Sequence, residues 1–257
     1  MCGIQVVIQS SPFLTDSLLN GINKRGPDHL ETINLNCYDR FLQISSSVLG
    51  MRGSIIQKQP IQQDNFIFCW NGEIYDGILL DQTESDTKQL FDLILKQPER
   101  LDQILQSIKG EFAFVLLDIQ TGSLYYGRDC LGRRSLLISS CNDSLFLSSV
   151  SIDMPELVWK EVECGRYFKI NLGTMQTESF AWNWQFKLNT LEEEVSPESF
   201  VDELIEQFDR SIRRRLIPLP PSGDNRVAIL FSGGLDCSLI AWMVDRVLPY
   251  GVGIDLV

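Results

Sequence analysis

Met1-Cys2-Gly3-Ile4-Gln5-Val6-Val7-Ile8-Gln9 opens the chain. Removal of Met1 would leave a cysteine carrying a free amine and a thiol on one residue, at the mouth of a strand over residues 3–9. The thiolate is the attacking species in cysteine catalysis. An α-amino group, with a pKa of roughly 8, can shuttle the proton, as it does in the N-terminal threonine variants of the triad. The chain has a single histidine, His29, so a Cys-His-Asp arrangement has little to draw on. Taken alone, Cys2 reads more readily as a small residue leading into a strand, and the rest of the chain must decide.

Outward from this strand, further short strand-like runs fall at 66–70 (FIFCW), 112–119 (FAFVLLDI), 123–127, 135–139, 144–150 and 166–172. Turn signals such as Gln120-Thr121-Gly122 and Cys141-Asn142-Asp143 separate them. Two helices interrupt the strands. Ser85 is the expected N-cap of the first, whose apolar face is Leu90, Phe91, Ile94 and Leu95. The second is expected from Pro98 to Gly110, presenting Leu101, Ile104, Leu105 and Ile108. Helices set among antiparallel-looking strands imply an α+β layered domain.

The composition changes near residue 190, where Glu192, Glu193 and Glu194 mark a solvated linker. Pro197 then starts a helix with an apolar stripe of Phe200, Leu204, Phe208, Ile212 and Leu216, closed by Arg213, Arg214 and Arg215. Those arginines fit the negative end of a helix dipole better than a nucleic-acid contact. Beyond a Pro-rich stretch at 218–221, residues 226–231 (RVAILF) read as a buried parallel strand. Ser232-Gly233-Gly234 and a helix over about 237–248 complete a βα unit, and 251–257 begins a second strand.

The 257 residues suggest one large or two smaller domains. A net charge of −12 argues against nucleic acid or an anionic membrane as the main partner. Seven cysteines without a C-x-x-C pair indicate neither a disulfide framework nor a zinc site. No basic-then-apolar leader and no apolar run of about 18 residues occur. The expectation is a soluble, cytoplasmic chain without a metal site.

Five further pieces accompany Cys2: Arg25-Gly26-Pro27-Asp28; Arg52 within Met51–Ile56; Asn71-Gly72-Glu73-Ile74-Tyr75; Glu84-Ser85-Asp86-Thr87; and the block from Gly110 to Leu136 containing GEFAF and GRDCLGRRSL. Singly, Asn71-Gly72 reads as a hairpin turn and Asp86 as a first-turn carboxylate on a helix dipole. In this order, with Cys2, the set resembles the glutamine-dependent asparagine synthetases. Residues 1–185 resemble their class II glutamine amidotransferase domain, an α+β N-terminal-nucleophile hydrolase with an αββα sandwich. Residues 196–257, after a linker at 186–195, resemble the opening of their ATP-pyrophosphatase domain, here an incomplete α/β parallel-sheet nucleotide-binding domain.

The resemblance implies roles. Cys2 would attack the glutamine side-chain amide, and the Asn71 side chain with the Gly72 N–H would hold the oxyanion. Arg52 would pair with the substrate α-carboxylate, and Asp86, with Glu73 as a further contact, would bind the α-ammonium. Arg25 and Asp28 would shape a loop beside the site. Ser232, Gly233, Gly234, Asp236 and Ser238 would form a loop that binds ATP at a helix N-terminus, with Asp236 near Mg2+. Glutamine hydrolysis itself would need no cofactor; ATP, Mg2+ and aspartate belong to the complete synthetase.

Three features depart from the pattern. Cys237 stands where a serine is usual, leaving Ser238 to compensate. Only fourteen residues separate Asn71 from Asp86, a shortening expected to displace Asp86 and weaken glutamine binding. The second domain holds one βα unit and a strand stub, as in a truncated product of a longer protein. The competing expectations are a non-catalytic descendant that senses glutamine or binds a protein partner, and an amidotransferase that passes ammonia to another acceptor.

Overall fold

The computed structural model describes residues 2–10, 21–52, 55–81, 84–183, 197–216 and 226–257. It separates into two compact units, Met1–Trp184 and Gln185–Val257. Met1, the acidic run at 186–195 and the Pro-rich stretch at 218–221 lie outside the described residues.

The first unit runs β1 (Gly3–Gln9), β2 (His29–Cys37), β3 (Arg40–Val48), β4 (Ile61–Gln63), β5 (Phe66–Asp76), α1 (Asp86–Lys96), α2 (Leu101–Ser107), β6 (Lys109–Asp118), β7 (Ser123–Arg128), β8 (Leu137–Cys141), β9 (Ser144–Ser148), β10 (Lys160–Glu161), β11 (Arg166–Asn171) and β12 (Thr177–Ala181). These form two six-stranded antiparallel sheets, ordered β10-β8-β9-β1-β3-β2 and β12-β11-β7-β6-β5-β4.

Period-two alternation explains how the sheets stack. Ile4, Val6 and Ile8 of β1 meet Ile67 and Cys69 of β5 and Ala113, Val115 and Leu117 of β6 in one core between the sheets. The intervening Phe68, Trp70, Phe112, Phe114 and Leu116 face the other way, against Leu90, Phe91 and Ile94 of α1 and Ile104 and Leu105 of α2. With both faces covered, β5 and β6 read as continuous apolar runs. The outer face of the first sheet packs Val7 and Phe146 against Leu157, with Ile152, Met154 and Trp159 alongside. This is an α+β two-sheet sandwich, the layered class expected from the sequence.

Several elements differ from the sequence expectation. The second helix stops at Ser107, and Gly110 lies inside β6. An added Cβ there would fall 2.0 Å from the Glu73 carbonyl, so Gly110 serves close strand pairing rather than a helix end. Asn71-Gly72-Glu73-Ile74-Tyr75 is not a hairpin turn: β5 continues through it, pairing Asn71 with Ala113 and Glu73 with Glu111. β2 and β3 were not anticipated. β3 carries Ser45, Ser46 and Ser47, all fully buried, and serines suggest loop until their distant partners are seen.

The second unit comprises α3 (Pro197–Arg215), β13 (Arg226–Ile229), α4 (Leu235–Val247) and β14 (Gly253–Leu256). β13 and β14 pair in parallel, Arg226 opposite Gly253. Ile212, Ile229, Met243 and Val244 form its core. The buried strand expected to reach residue 231 ends at Ile229, and Leu230 is exposed. Within the α3 stripe, Ile212 is buried whereas Phe200 and Leu204 are exposed.

Candidate active site

Cys2 stands one residue ahead of β1, where Gly3 pairs with Ser47 of β3. The fit is close: a Cβ on Gly3 would lie 2.6 Å from Ser47 Oγ and 2.9 Å from Ile22 Cβ. Ser46 Oγ donates to the Gly3 carbonyl at 2.9 Å, and Ser149 Oγ accepts from the Ile4 N–H at 2.9 Å. Side chains hidden in the sheet thus fix the backbone that carries the thiol. The thiol faces the Leu49 carbonyl at 3.9 Å, and Arg25 Nε donates to the Cys2 carbonyl at 3.2 Å. Burial pushes the thiol above its ordinary range, so it rests protonated and needs a base to become a nucleophile.

Alternation along β5 puts Asn71 and Glu73 on the same face as Ile67 and Cys69, the face toward the sheet that carries Cys2. Asn71 is 1% exposed, and its Nδ2 has no hydrogen-bond partner among the described residues. A buried amide donor left unpaired costs about 1–3 kcal/mol, which makes this position a ready donor for an incoming oxygen. Next to it, a Cβ on Gly72 would lie 2.5 Å from the Glu111 carbonyl, so only glycine fits.

Arg52 and Glu73 form an ion pair, Nε to Oε2 at 2.8 Å, with both side chains largely shielded. The Arg52 guanidinium also lies 5.9 Å from the Tyr75 ring centroid. Asp86 opens α1; its Oδ2 accepts from the Ile74 N–H at 3.0 Å and its Oδ1 from the Thr87 N–H at 2.7 Å. These bonds tie the helix to β5. Burial and the neighbouring Asp86 charge raise Glu73 to about 7, against the pull of Arg52. Burial also raises Asp86, opposed by Arg52 and by the backbone donors of Ile74 and Thr87.

Cys2, Gly50, Arg52, Gly72, Glu73 and Asp86 line one cleft. The short segment after Asn71 therefore leaves Asp86 at the cleft, contrary to the displacement expected from its length. The free space is about 30 Å3, room for about two waters. The cleft thus holds a thiol, the Arg52–Glu73 ion pair, the Asp86 carboxylate and a closely packed glycine, next in sequence to the unpaired Asn71 amide donor. Such a set joins a potential nucleophile to groups of both charges.

Sequence reading missed several contributors. Gln59 Oε1 accepts from the Trp70 N–H at 2.6 Å, and Gln59 lines the cleft. Glu111 accepts from Arg134 Nη2 at 2.8 Å and from the Tyr75 hydroxyl at 3.2 Å, while the Arg134 charge acts on Glu73. The pairing of Glu73 with Glu111 across β5 and β6 creates this network, and that register is invisible in the sequence. The GRDCLGRRSL block plays another part. Asp129, fully buried, accepts from the N–H groups of Phe112, Leu131 and Arg133 and from Arg133 Nε. Asp28 braces the site loop by accepting from the Gly50 N–H at 2.7 Å, and His29 pairs with Glu31 at 3.0 Å on β2.

In the second unit, Ser232-Gly233-Gly234 links β13 to α4. Gly233 has φ +80° and Gly234 caps the helix. Ser238 Oγ donates to the Gly234 carbonyl at 2.8 Å, and Ser232 Oγ meets Cys237 Sγ at 3.6 Å. Asp236 and both glycines are exposed. The serine hydroxyls brace the turn, and the N-terminus of α4 is open, a geometry suited to phosphate. Among the described residues, no group of three or more His, Cys, Asp or Glu side chains could hold a metal, and no helix is long and apolar enough to cross a membrane.

Residues 49–154 match the family model of a glutamine amidotransferase domain. Asparagine synthetase domain-containing protein 1 of Homo sapiens is 25% identical over all of this chain and 55% of its own length. The Gallus gallus protein of the same name is 32% identical over all of this chain and 56% of its own length. The glutamine-hydrolyzing asparagine synthetase of Mesocricetus auratus is 27% identical over 94% of this chain and 48% of its own. The chain thus spans about half the length of the curated relatives it matches. Among solved structures, a glutamine phosphoribosylpyrophosphate amidotransferase from B. subtilis superposes with a TM-score of 0.56 at 16% identity, over 99% of this chain and 65% of its own. That likeness speaks to the fold alone.

Proposed function

From a chain that belongs to the family of asparagine synthetase domain-containing proteins, we propose a glutamine amidotransferase whose nucleophile is Cys2. The carrying observation is the convergence of the Cys2 thiol, the Gly72 backbone and the Arg52, Glu73 and Asp86 charges on one cleft, beside a buried Asn71 amide that lacks an acceptor.

Once Met1 is removed, the α-amine of Cys2 takes the thiol proton and the sulfur adds to the glutamine side-chain carbonyl. Asn71 Nδ2 and the Gly72 N–H stabilise the oxyanion in the tetrahedral intermediate. The C–N bond breaks as the amine returns the proton, so ammonia leaves and a glutamyl thioester remains. Water, deprotonated by the same amine, cleaves the thioester to glutamate and restores the thiol. Arg52 binds the substrate α-carboxylate in place of Glu73, and Asp86 with the freed Glu73 binds the α-ammonium. Incubation with an electrophilic glutamine analogue, followed by peptide mass spectrometry, should place a single adduct on Cys2. An unmodified Cys2, or modification of exposed Cys164 instead, would count against it.

The ammonia would serve an ATP-dependent asparagine synthesis. For ATP, the open turn of Ser232, Gly233 and Gly234 at the N-terminus of α4 would hold phosphate, Ser238 would brace the turn, and Asp236 would stand by Mg2+. Bound ATP would activate a carboxylate for attack by ammonia. One observation favours the second reading, a glutamine sensor without turnover: burial holds the Cys2 thiol above its ordinary range, so it rests protonated.

A further inference from the structure

A second cleft in the first unit lies at the far end of β5 from Cys2. It encloses about 310 Å3, within the range of small-ligand sites. Phe66 lines it, and Gly72 lies six positions further along the strand. At about 3.4 Å per residue, the two clefts are roughly 20 Å apart.

The walls are Leu101 and Leu116 with the rings of Tyr125 and Tyr167, and the carboxylates are Glu99, Asp102 and Asp118. No lysine or arginine lines it. Asp118 is spent on its own turn, accepting from the Gln120 and Thr121 N–H groups and the Thr121 hydroxyl. Among the described residues, Glu99 and Asp102 have neither a hydrogen bond nor an ion pair. Tyr167 supplies a second, independent pointer. It is 8% exposed, and its ring is held by Phe180 at 4.9 Å and Trp182 at 5.1 Å. Among the described residues its hydroxyl has no hydrogen-bond partner, and Tyr167 lines the cleft. The neighbouring Tyr125 ring already attracts a cation, with Lys169 Nζ 5.8 Å from its centroid.

We propose that this cleft binds a primary ammonium carried on a short apolar stem. The ammonium offers three donors, matching the Asp102 and Glu99 carboxylates and the Tyr167 hydroxyl. The stem lies against Leu101 and Leu116, and the aromatic rings favour the cation. The same group is presented by a free alkyl diamine and by a lysine side chain of a partner protein.

The test is calorimetric titration of the whole chain with cadaverine and with acetyl-lysine amide, using pentanediol as the uncharged counterpart. The amines should bind and pentanediol should not. Asp102→Asn should weaken amine binding by about tenfold or more, and Tyr167→Phe by about threefold. Tyr167→Phe keeps the ring packing, so it stands as the test should Asp102→Asn fold poorly. Equal affinity for the two amines assigns a lysine side chain as the natural occupant, and preference for cadaverine assigns a free amine. The proposal is overturned if neither amine binds at millimolar concentration, if pentanediol binds as well as cadaverine, or if Tyr167→Phe and a folded Asp102→Asn both bind like the parent chain.

Discussion

Asn71 concentrates the case for catalysis at the residue scale. A buried donor without an acceptor weakens the fold, and its placement makes sense if an oxyanion supplies the acceptor during reaction. Asn71→Ala should therefore lower kcat for glutamine hydrolysis by about 10²–10³ while leaving the thermal midpoint within a few degrees. A large loss of stability with little loss of rate would make Asn71 structural. Glu73 carries a pH signature. Its carboxyl titrates at about 7 in the folded chain against an ordinary 4.5, so the folded state binds more protons between those values. The stability that Glu73 contributes is fully present below its ordinary value and is lost as pH rises toward 7. Thermal midpoints should fall across that window, and Glu73→Gln should reduce the fall, leaving the slope from Asp86. An unchanged slope would remove Glu73 from that role. The chemistry-bearing residue types of the site were legible in sequence, because thiol, amide, guanidinium and carboxylate each have few uses. Arg134, Glu111 and Gln59 were not, because their importance lies in distances across strands.

At the scale of elements, β5 is the organising strand. It carries the core contacts of Phe66 to Trp70 and then, unbroken, the site residues Asn71 to Tyr75. Sequence reading divided it because Asn-Gly commonly marks a turn; pairing with β6 overrides that local preference. Gly72→Ala should disrupt this pairing, since its Cβ would meet the Glu111 carbonyl at 2.5 Å. Loss of both stability and activity is the expected outcome, and a stable, active variant would contradict the register. Asp129 knots β6 to the loop after β7 through four hydrogen bonds. Asp129→Ala would leave Arg133 and three N–H groups without that acceptor, and should cost about 3–5 kcal/mol in denaturant unfolding. The short apolar runs of β1, β5 and β6, with helices set among them, announced the layered fold. β3 stayed hidden because its buried serines are satisfied by Gly3 and Ile22 carbonyls far away in sequence.

For the whole molecule, the two units differ in how much they bury. The first has an inter-sheet core and a second core beneath its helices, whereas the second rests on Ile212, Ile229, Met243 and Val244, with Leu230, Leu235 and Trp242 exposed. Hydrogen exchange should therefore reach α4 and β13 well before β5 and β6; equal protection would show that the second unit is as stable as the first. The central claim is that Cys2 hydrolyses glutamine. The most direct measurement is glutamate release from glutamine by purified chain with its N-terminus defined by mass spectrometry, beside Cys2→Ala. Release by chains that begin at Cys2, and none from Cys2→Ala, is the expected result. No release despite complete removal of Met1, or equal release from Cys2→Ala, would contradict the assignment.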